Sequence, residues 1–188
     1  EALGIIEKEG LAKRIERHWR MAEAVRAAPG DPSARAELRR LAEASHQAEA
    51  CARVYEEALP SMRGEAALPL LRELADWAER HLSDRARAVA ALERARALDP
   101  GDLSALSALR RLHRAAGRWA ELYQACAEAG ARSGAAAERA EAWREAAGVA
   151  ETRLSDPERA AEAWRRCLEA DPADAEAAAA LERLYLQL

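Results

Sequence analysis

DPERAAEAWRRCLEADPAD, residues 156–174, is the stretch whose reading decides the fold. Asp156 can accept hydrogen bonds from the free N–H groups of a first helical turn, and Pro157 has no N–H to leave unpaired. At the other end, Asp171-Pro172 stops the helix, because the pyrrolidine ring cannot continue it and restricts the residue before it. Between these marks Ala160, Ala161, Trp164, Cys167 and Leu168 recur at spacings of three and four. That spacing draws one buried stripe down a helix of about four turns. Residues 84–102, DRARAVAALERARALDPGD, repeat the same arrangement.

Outward from these two stretches the chain reads as helices with brief punctuation. Residues 1–9 form the tail of a helix interrupted at Gly10. The stripe Leu11, Ile15, Trp19, Ala22 and Val25 then carries a helix to Pro29-Gly30, its natural stop. A segment from Asp31-Pro32 reaches about Ser45, and one from about Gln47 to Leu59 is ended by Pro60. Leu70, Leu71, Leu74, Ala75, Ala78 and Leu82 mark a longer helix stopped at Ser83-Asp84. Further helices are predicted over 103–116, from Trp119 to about Ala131, over 136–154, and from Ala175 to the end. Connections of two to five residues force neighbouring helices to lie antiparallel.

Composition agrees with an all-α chain. Its 188 residues include no Phe and only 9 Gly, and the dominant residues are the strong helix formers Ala, Leu, Arg and Glu. Half the residues are hydrophobic and the charges are mixed, which argues against disorder. A net charge of −4 exerts no general pull on nucleic acid or anionic membrane. Lys8 and Lys13 are the only lysines, so the positive charge is almost all Arg. Cys51, Cys126 and Cys167 lie far apart inside helical patterns, which suggests neither a disulfide framework nor a metal knuckle. No apolar run approaches the roughly 18 residues that span a bilayer, and EALGIIEKEG lacks the order of a signal peptide, so a cytoplasmic default is the expectation.

The punctuation repeats. Leu71 and Trp143, Asp84 and Asp156, Leu92 and Trp164, Pro100 and Pro172, and Leu109 and Leu181 are each separated by 72 residues. One step earlier, Pro29-Gly30-Asp31 precedes Pro100-Gly101-Asp102 by 71, as Leu38-Arg39-Arg40-Leu41 precedes Leu109-Arg110-Arg111-Leu112. The unit is four helices, built from a helix pair of about 36 residues. Each pair exposes too much apolar surface to fold alone, and stacking removes that surface from water at roughly 25 cal/mol per Å².

This length and pattern resembles the tetratricopeptide repeat family, whose unit is about 34 residues of helix–turn–helix. The resemblance rests on the small residue at Ala160 or Ala88, the bulky one at Trp164 or Leu92, the small one at Cys167 or Ala95, and the closing Asp-Pro. On the first helix, Trp143 or Leu71 with Ala146-Ala147 or Leu74-Ala75 match the bulky and Leu-Gly positions. Two departures stand out: one extra residue precedes Ser83 and Ser155, and the pair from Leu106 to Ala129 lacks the Asp-Pro ending and carries Leu122 where a small residue is usual. The resemblance implies a right-handed α-solenoid of antiparallel helix pairs, about 9–10 helices in all. Its divisions are a partial repeat over 1–30, repeats over 31–68, 69–102, 103–136 and 137–172, and an unpaired helix over 173–188.

The resemblance also implies that the first helix of each pair lines a concave, ligand-binding side. Carried over position by position, its ligand-facing sites fall on Arg40, Arg111 and Arg183 of the shorter first helices and on Arg72 and Arg144 of the longer ones, with Arg114 one turn beyond Arg111. Such arginines suit bidentate capture of acidic side chains or a C-terminal carboxylate. The rival reading is a solvated face neutralised by Glu43, Asp76 and Glu79. The Lys and Asn of the family's carboxylate clamp have no match here.

Catalytic patterns are poor. Glu43-Ala-Ser-His46 has the spacing of a di-iron carboxylate motif but no second copy, and His18, His81 and His113 have no partner at ligand spacing, which makes surface or groove positions the expectation. There is no phosphate loop and no nucleophile elbow. Trp19, Trp119, Trp143 and Trp164 sit on apolar stripes as core, while Trp77 borders a charged face. Leu181, Leu184, Tyr185, Leu186 and Leu188 make the last helix a sticky end, suited to self-association or to continuation of the stack. The reading is a scaffold or adaptor, with no enzymatic activity, cofactor or metal, that binds another protein or a peptide, an acidic one being the expected match for its arginines. Its rivals are a ligand-sensing regulatory segment of a larger protein and a structural spacer.

Overall fold

A computed structural model describes residues 2–186, with side chains described at residue 13 and from residue 15 onward. Leu11 and Leu188 of the predicted stripes therefore lie outside the described side chains. The described residues contain no strand. Their helices are α1 (Ala2–Ala27), α2 (Pro32–Ala44), α3 (Ala48–Ala58), α4 (Leu68–His81), α5 (Arg85–Leu98), α6 (Leu103–Ala116), α7 (Trp119–Arg132), α8 (Ala136–Val149), α9 (Pro157–Ala170) and α10 (Ala175–Tyr185).

Local capping chemistry sets many of these boundaries. Five aspartates act as N-caps: Asp31 accepts from the N–H of Ser33, Asp84 from Arg87, Asp102 from Ser104 and Ala105, Asp156 from Arg159, and Asp174 from Ala177, at 2.8–3.1 Å. Each satisfies donors that the first turn cannot satisfy itself. Pro32 and Pro157 occupy first-turn positions of α2 and α9, as the sequence predicts.

Two compact units result, Glu1–Pro100 and Gly101–Leu188. In the first, α1 packs on α2 and α3, α3 on α4, and α4 on α5. Leu38, Tyr55, Leu70 and Leu71 are buried in this unit. In the second, α7 packs on α6 and α8, and α9 on α8 and α10. Leu122, Cys126, Trp164, Cys167 and Leu184 belong to its core. The small positions of the repeat behave as its packing requires: Ala88, Ala95, Ala160 and Cys167 are all fully buried.

The extra residue before Ser83 and Ser155 has a structural explanation. After α2 and α6 the chain turns through left-handed His46 and Gly117, with the next N–H bonding back five residues, from Gln47 to Ala42 at 2.8 Å and from Arg118 to His113 at 2.9 Å. After the longer first helices it turns through left-handed Ser83 and Ser155, and the bond spans six residues, from Asp84 to Ala78 and from Asp156 to Ala150, both at 3.0 Å. Following α8 this wider ending is a π turn over Ala150–Leu154, which absorbs the additional residue. The two kinds of ending alternate along the chain, which makes the repeating unit four helices instead of two. Serine in the left-handed region is strained, so Ser155→Gly is expected to stabilise the chain by about 0.5–1 kcal/mol after the cost in unfolded-state entropy. A raised urea midpoint in circular dichroism checks this.

Several expectations are corrected. Gly10 does not interrupt the first helix, since α1 runs through it; one interior glycine costs only about 1 kcal/mol and its neighbours favour helix. Trp19 is 56% exposed, whereas His18 is buried at 2%. Residues 18, 22 and 25 follow the spacing of four and three, and Trp19 falls one position off that face. Trp77 is core, not rim: it is buried, donates Nε1–H to the carbonyl of Ala48 at 2.9 Å, and stacks on His81. His113 is buried too, not on a surface or groove. Burial, with Arg26 nearby, pushes the His18 imidazole below its usual range.

Candidate functional site

The six arginines singled out from the sequence all stand on first helices, Arg40 on α2, Arg72 on α4, Arg111 and Arg114 on α6, Arg144 on α8 and Arg183 on α10. In the first unit Arg40 is exposed and its Nε and Nη2 meet Glu37 of the same helix at 2.7 and 2.6 Å. Arg72 is exposed, as is Arg111 in the second unit. The remaining three reach to neighbouring elements. Arg114 donates to Glu145 of α8, with Nε at 3.1 Å. Arg144 donates Nε and Nη2 to Asp174 at 3.0 and 2.6 Å, and Arg183 reaches Glu151 in the π turn at 2.6 Å. A guanidinium carries five N–H donors, so each of these ion pairs leaves donors over.

Beneath the exposed arginines lies a second, more buried set that sequence reasoning missed. In the first unit Glu73 of α4 receives Arg35 Nε at 3.1 Å, Arg39, and the Tyr55 hydroxyl at 3.3 Å; Arg35 also donates to the Pro29 carbonyl at 2.6 Å. In the second unit Glu145 receives Arg110 Nε at 3.0 Å on one oxygen and Arg114 on the other. Burial alone would raise the Glu145 carboxyl, but the hydrogen bonds from Arg110 and Arg114 outweigh it and hold the group below the usual carboxylate range. Glu73 and Glu145 are 72 residues apart and Arg39 and Arg110 are 71 apart, so the register that revealed the repeat also contained this pair.

Asp174 combines two duties, capping α10 and anchoring Arg144. The N–H of Ala177 and then the Arg144 guanidinium bring its carboxyl down to about 2. An unfolded aspartate protonates near pH ~4. Between those values the unfolded chain binds more protons, so this stabilisation is complete above pH ~4 and is lost as the pH falls through about 2. Asp174→Asn keeps a capping oxygen and is expected to flatten the acid limb of stability, measured by urea denaturation across that range.

Other reactive groups are structural where they are described. Burial pushes the thiols of Cys51 and Cys126 up to about 12 and that of Cys167 up to about 11, so they stay protonated at neutral pH. Glu43 turns to His81 at 3.4 Å, and His46 occupies a left-handed turn. Among the described residues no three His, Cys, Asp or Glu side chains form a group that could hold a metal ion. At the end of α10, Leu184 is buried while Tyr185 and Leu186 are exposed, at 59% and 84%. Between α10 and its neighbours an open hollow of about 500 Å³ is lined by Trp164, Ala180 and Arg183 among others.

No family model matches the sequence, and no curated protein sequence matches it. Solved structures do resemble it. One described as the MamA protein shares 14% identity with this chain, with 90% of this chain and 89% of that one covered and a TM-score of 0.52. The chain has a tetratricopeptide-repeat-like fold. A structure of YrrB, described as a TPR protein with an unusual peptide-binding site, is 16% identical over 93% of this chain and 86% of its own, with a TM-score of 0.49. A tetratricopeptide repeat protein from Parabacteroides merdae ATCC 43184 is 15% identical over 98% and 69%, with a TM-score of 0.47. At these identities the likeness concerns the fold alone.

Proposed function

We propose that this chain is a scaffold or adaptor module that binds a segment of another protein along the first-helix surface of its repeats. The observation that carries this reading is the treatment of Arg114, Arg144 and Arg183 in the second unit. They stand on successive first helices, and a carboxylate fixes each one without consuming all its donors. A guanidinium already held in place loses less side-chain entropy when it meets a ligand than a free one does. Arg40, Arg72 and Arg111 are exposed on equivalent helices and extend the same chemistry to both units. The partner that matches is a peptide with spaced acidic side chains, because isolated carboxylates can meet the leftover donors one at a time. No helix among the described residues is long and apolar enough to cross a membrane.

Fluorescence anisotropy with labelled acidic peptides tests the reading. Arg111→Glu is expected to weaken binding by about tenfold with an unchanged circular dichroism spectrum, since it places a like charge at an exposed contact. Equal binding by the variant and the parent chain would remove Arg111, and the surface around it, from the proposal.

A further inference from the structure

Two grooves occupy the same place in successive copies of the four-helix repeat. In the first unit a groove of about 280 Å³ is lined by Leu59, Met62, Leu71, Arg94, Ala97 and Leu98 among others. In the second unit a groove of about 240 Å³ is lined by Ala131, Arg139, Trp143, Arg166, Glu169 and Ala170 among others. Leu59 and Ala131, Leu71 and Trp143, Arg94 and Arg166, Ala97 and Glu169, and Leu98 and Ala170 are each 72 residues apart. It is one site, present twice.

The copies differ in chemistry. In the second, the site satisfies itself: Arg166 Nε has Glu162 at 2.9 Å and Glu169 at 3.9 Å, one carboxylate four positions before it and one three positions after. Arg139 donates to the Gly134 carbonyl at 2.9 Å. The Trp143 indole sits so close to Gly130 that a Cβ there would lie 2.6 Å from its Nε1. In the first copy the positions of those two carboxylates are Ala90 and Ala97, and Arg139 and Trp143 are replaced by Ala67 and Leu71. Arg94 is exposed there and forms no ion pair with any described residue. Leu98, one turn beyond it, is 40% exposed.

Backbone chemistry shapes this first copy as well. Pro60 follows the end of α3, and Pro69 occupies the first turn of α4, so the connection consists of two short 3₁₀ turns, Leu59–Ser61 and Gly64–Ala67. The corresponding chain in the second unit keeps α7 helical to Arg132 and starts α8 at Ala136. Leu59, buried at 2% exposure, and half-buried Met62 line the groove from this connection.

An apolar hollow with an unpaired guanidinium at its lip is complementary to an apolar group with a carboxylate beside it. We infer that the groove of Leu59, Met62, Leu98 and Arg94 binds a partner-protein segment that inserts a bulky aliphatic side chain and places an Asp or Glu carboxylate on Arg94. The second copy retains the hollow with its charge already answered from within. This site uses none of the first-helix arginines and does not depend on their role.

The test is fluorescence anisotropy of the full chain with short labelled peptides that carry Leu or Met next to Glu. Counterpart peptides replace Glu by Gln, or the apolar residue by Ser. The Leu–Glu and Met–Glu peptides are expected to bind, and either replacement to weaken binding by about tenfold. Ala97→Glu rebuilds the second copy's carboxylate at an exposed helical position, and is expected to cost about tenfold with an unchanged circular dichroism spectrum, because Arg94 then pairs internally. Trp19→Ala, at an exposed side chain outside both surfaces, is expected to leave this binding intact. The proposal is overturned if none of the peptides binds up to millimolar concentration, if Ala97→Glu binds as the parent chain does, or if the Gln and Ser counterparts bind as tightly as the Leu–Glu and Met–Glu peptides.

Discussion

Replacing Trp164 by alanine is expected to lower the stability of the second unit by about 3–5 kcal/mol, the upper end of what a single side-chain truncation costs. The side chain is 5% exposed and lies in a core whose other buried members are mostly alanines, among them Ala146, Ala147, Ala150, Ala160, Ala161, Ala177 and Ala180. Small neighbours on rigid helices cannot move in to fill the volume, so most of the cavity persists and the lining atoms lose their contacts. The indole N–H, which faces Glu151 at 3.4 Å, is lost as well. Trp19→Ala removes an equally large side chain that is mostly in water and is expected to change stability by no more than about 0.5 kcal/mol. Urea denaturation of the two variants, followed by circular dichroism, should separate them clearly. Similar midpoints would mean that the register of the repeat is misplaced.

The second large effect is expected at Glu73. Its carboxylate is the shared counterion of Arg35, whose side chain is only 5% exposed, and of Arg39. Glu73→Ala leaves both guanidinium groups without that charge, and among the described residues Arg35 retains only the carbonyl of Pro29. Stranding a buried charge costs about 3–5 kcal/mol, more than the intact pair contributes over a well-packed apolar replacement. Glu73→Gln keeps an acceptor for Arg35, Arg39 and the Tyr55 hydroxyl, and is expected to cost about 1–2 kcal/mol. Urea denaturation of both variants checks this ordering. A loss below about 1 kcal/mol for Glu73→Ala would show that the arginines find water without rearrangement.

The features legible from sequence are those written in local chemistry. Asp-Pro and Gly punctuation, which acts through the residue's own backbone, locates the starts and stops of α2, α5, α6 and α9, and the start of α10, to within a residue or two. The 72-residue register follows, and with it the burial of Ala88, Ala95, Ala160 and Cys167. Features that depend on another helix are not legible. Trp77 reads as a rim residue because the carbonyl of Ala48 that receives its N–H belongs to α3. His18 and Trp19 are adjacent, and hydrophobic pattern favours the apolar Trp19 as the inward residue, although packing against α2 and α3 buries the imidazole instead. For the six arginines, spacing fixes the helix each one occupies but not the carboxylates on α8, at the cap of α10 and in the π turn that hold three of them. Arg94 is invisible to motif reading, and is distinguished only by the absence of the two glutamates that flank Arg166.

These contrasts carry the functional account. Trp77, Trp164 and the small residues of the repeat are consumed by packing, and the proposed function places specificity on exposed guanidinium groups. Nitrogen–proton correlation spectra of the chain titrated with acidic peptide test that assignment most directly, because arginine side-chain N–H signals report each contact separately. Shifts in the side-chain signals of Arg40, Arg72, Arg111, Arg114, Arg144 or Arg183, with the indole signals of Trp77 and Trp164 unmoved, are the predicted result. Spectra in which none of those arginine signals moves at saturating peptide, or in which only the indole signals move, would contradict it.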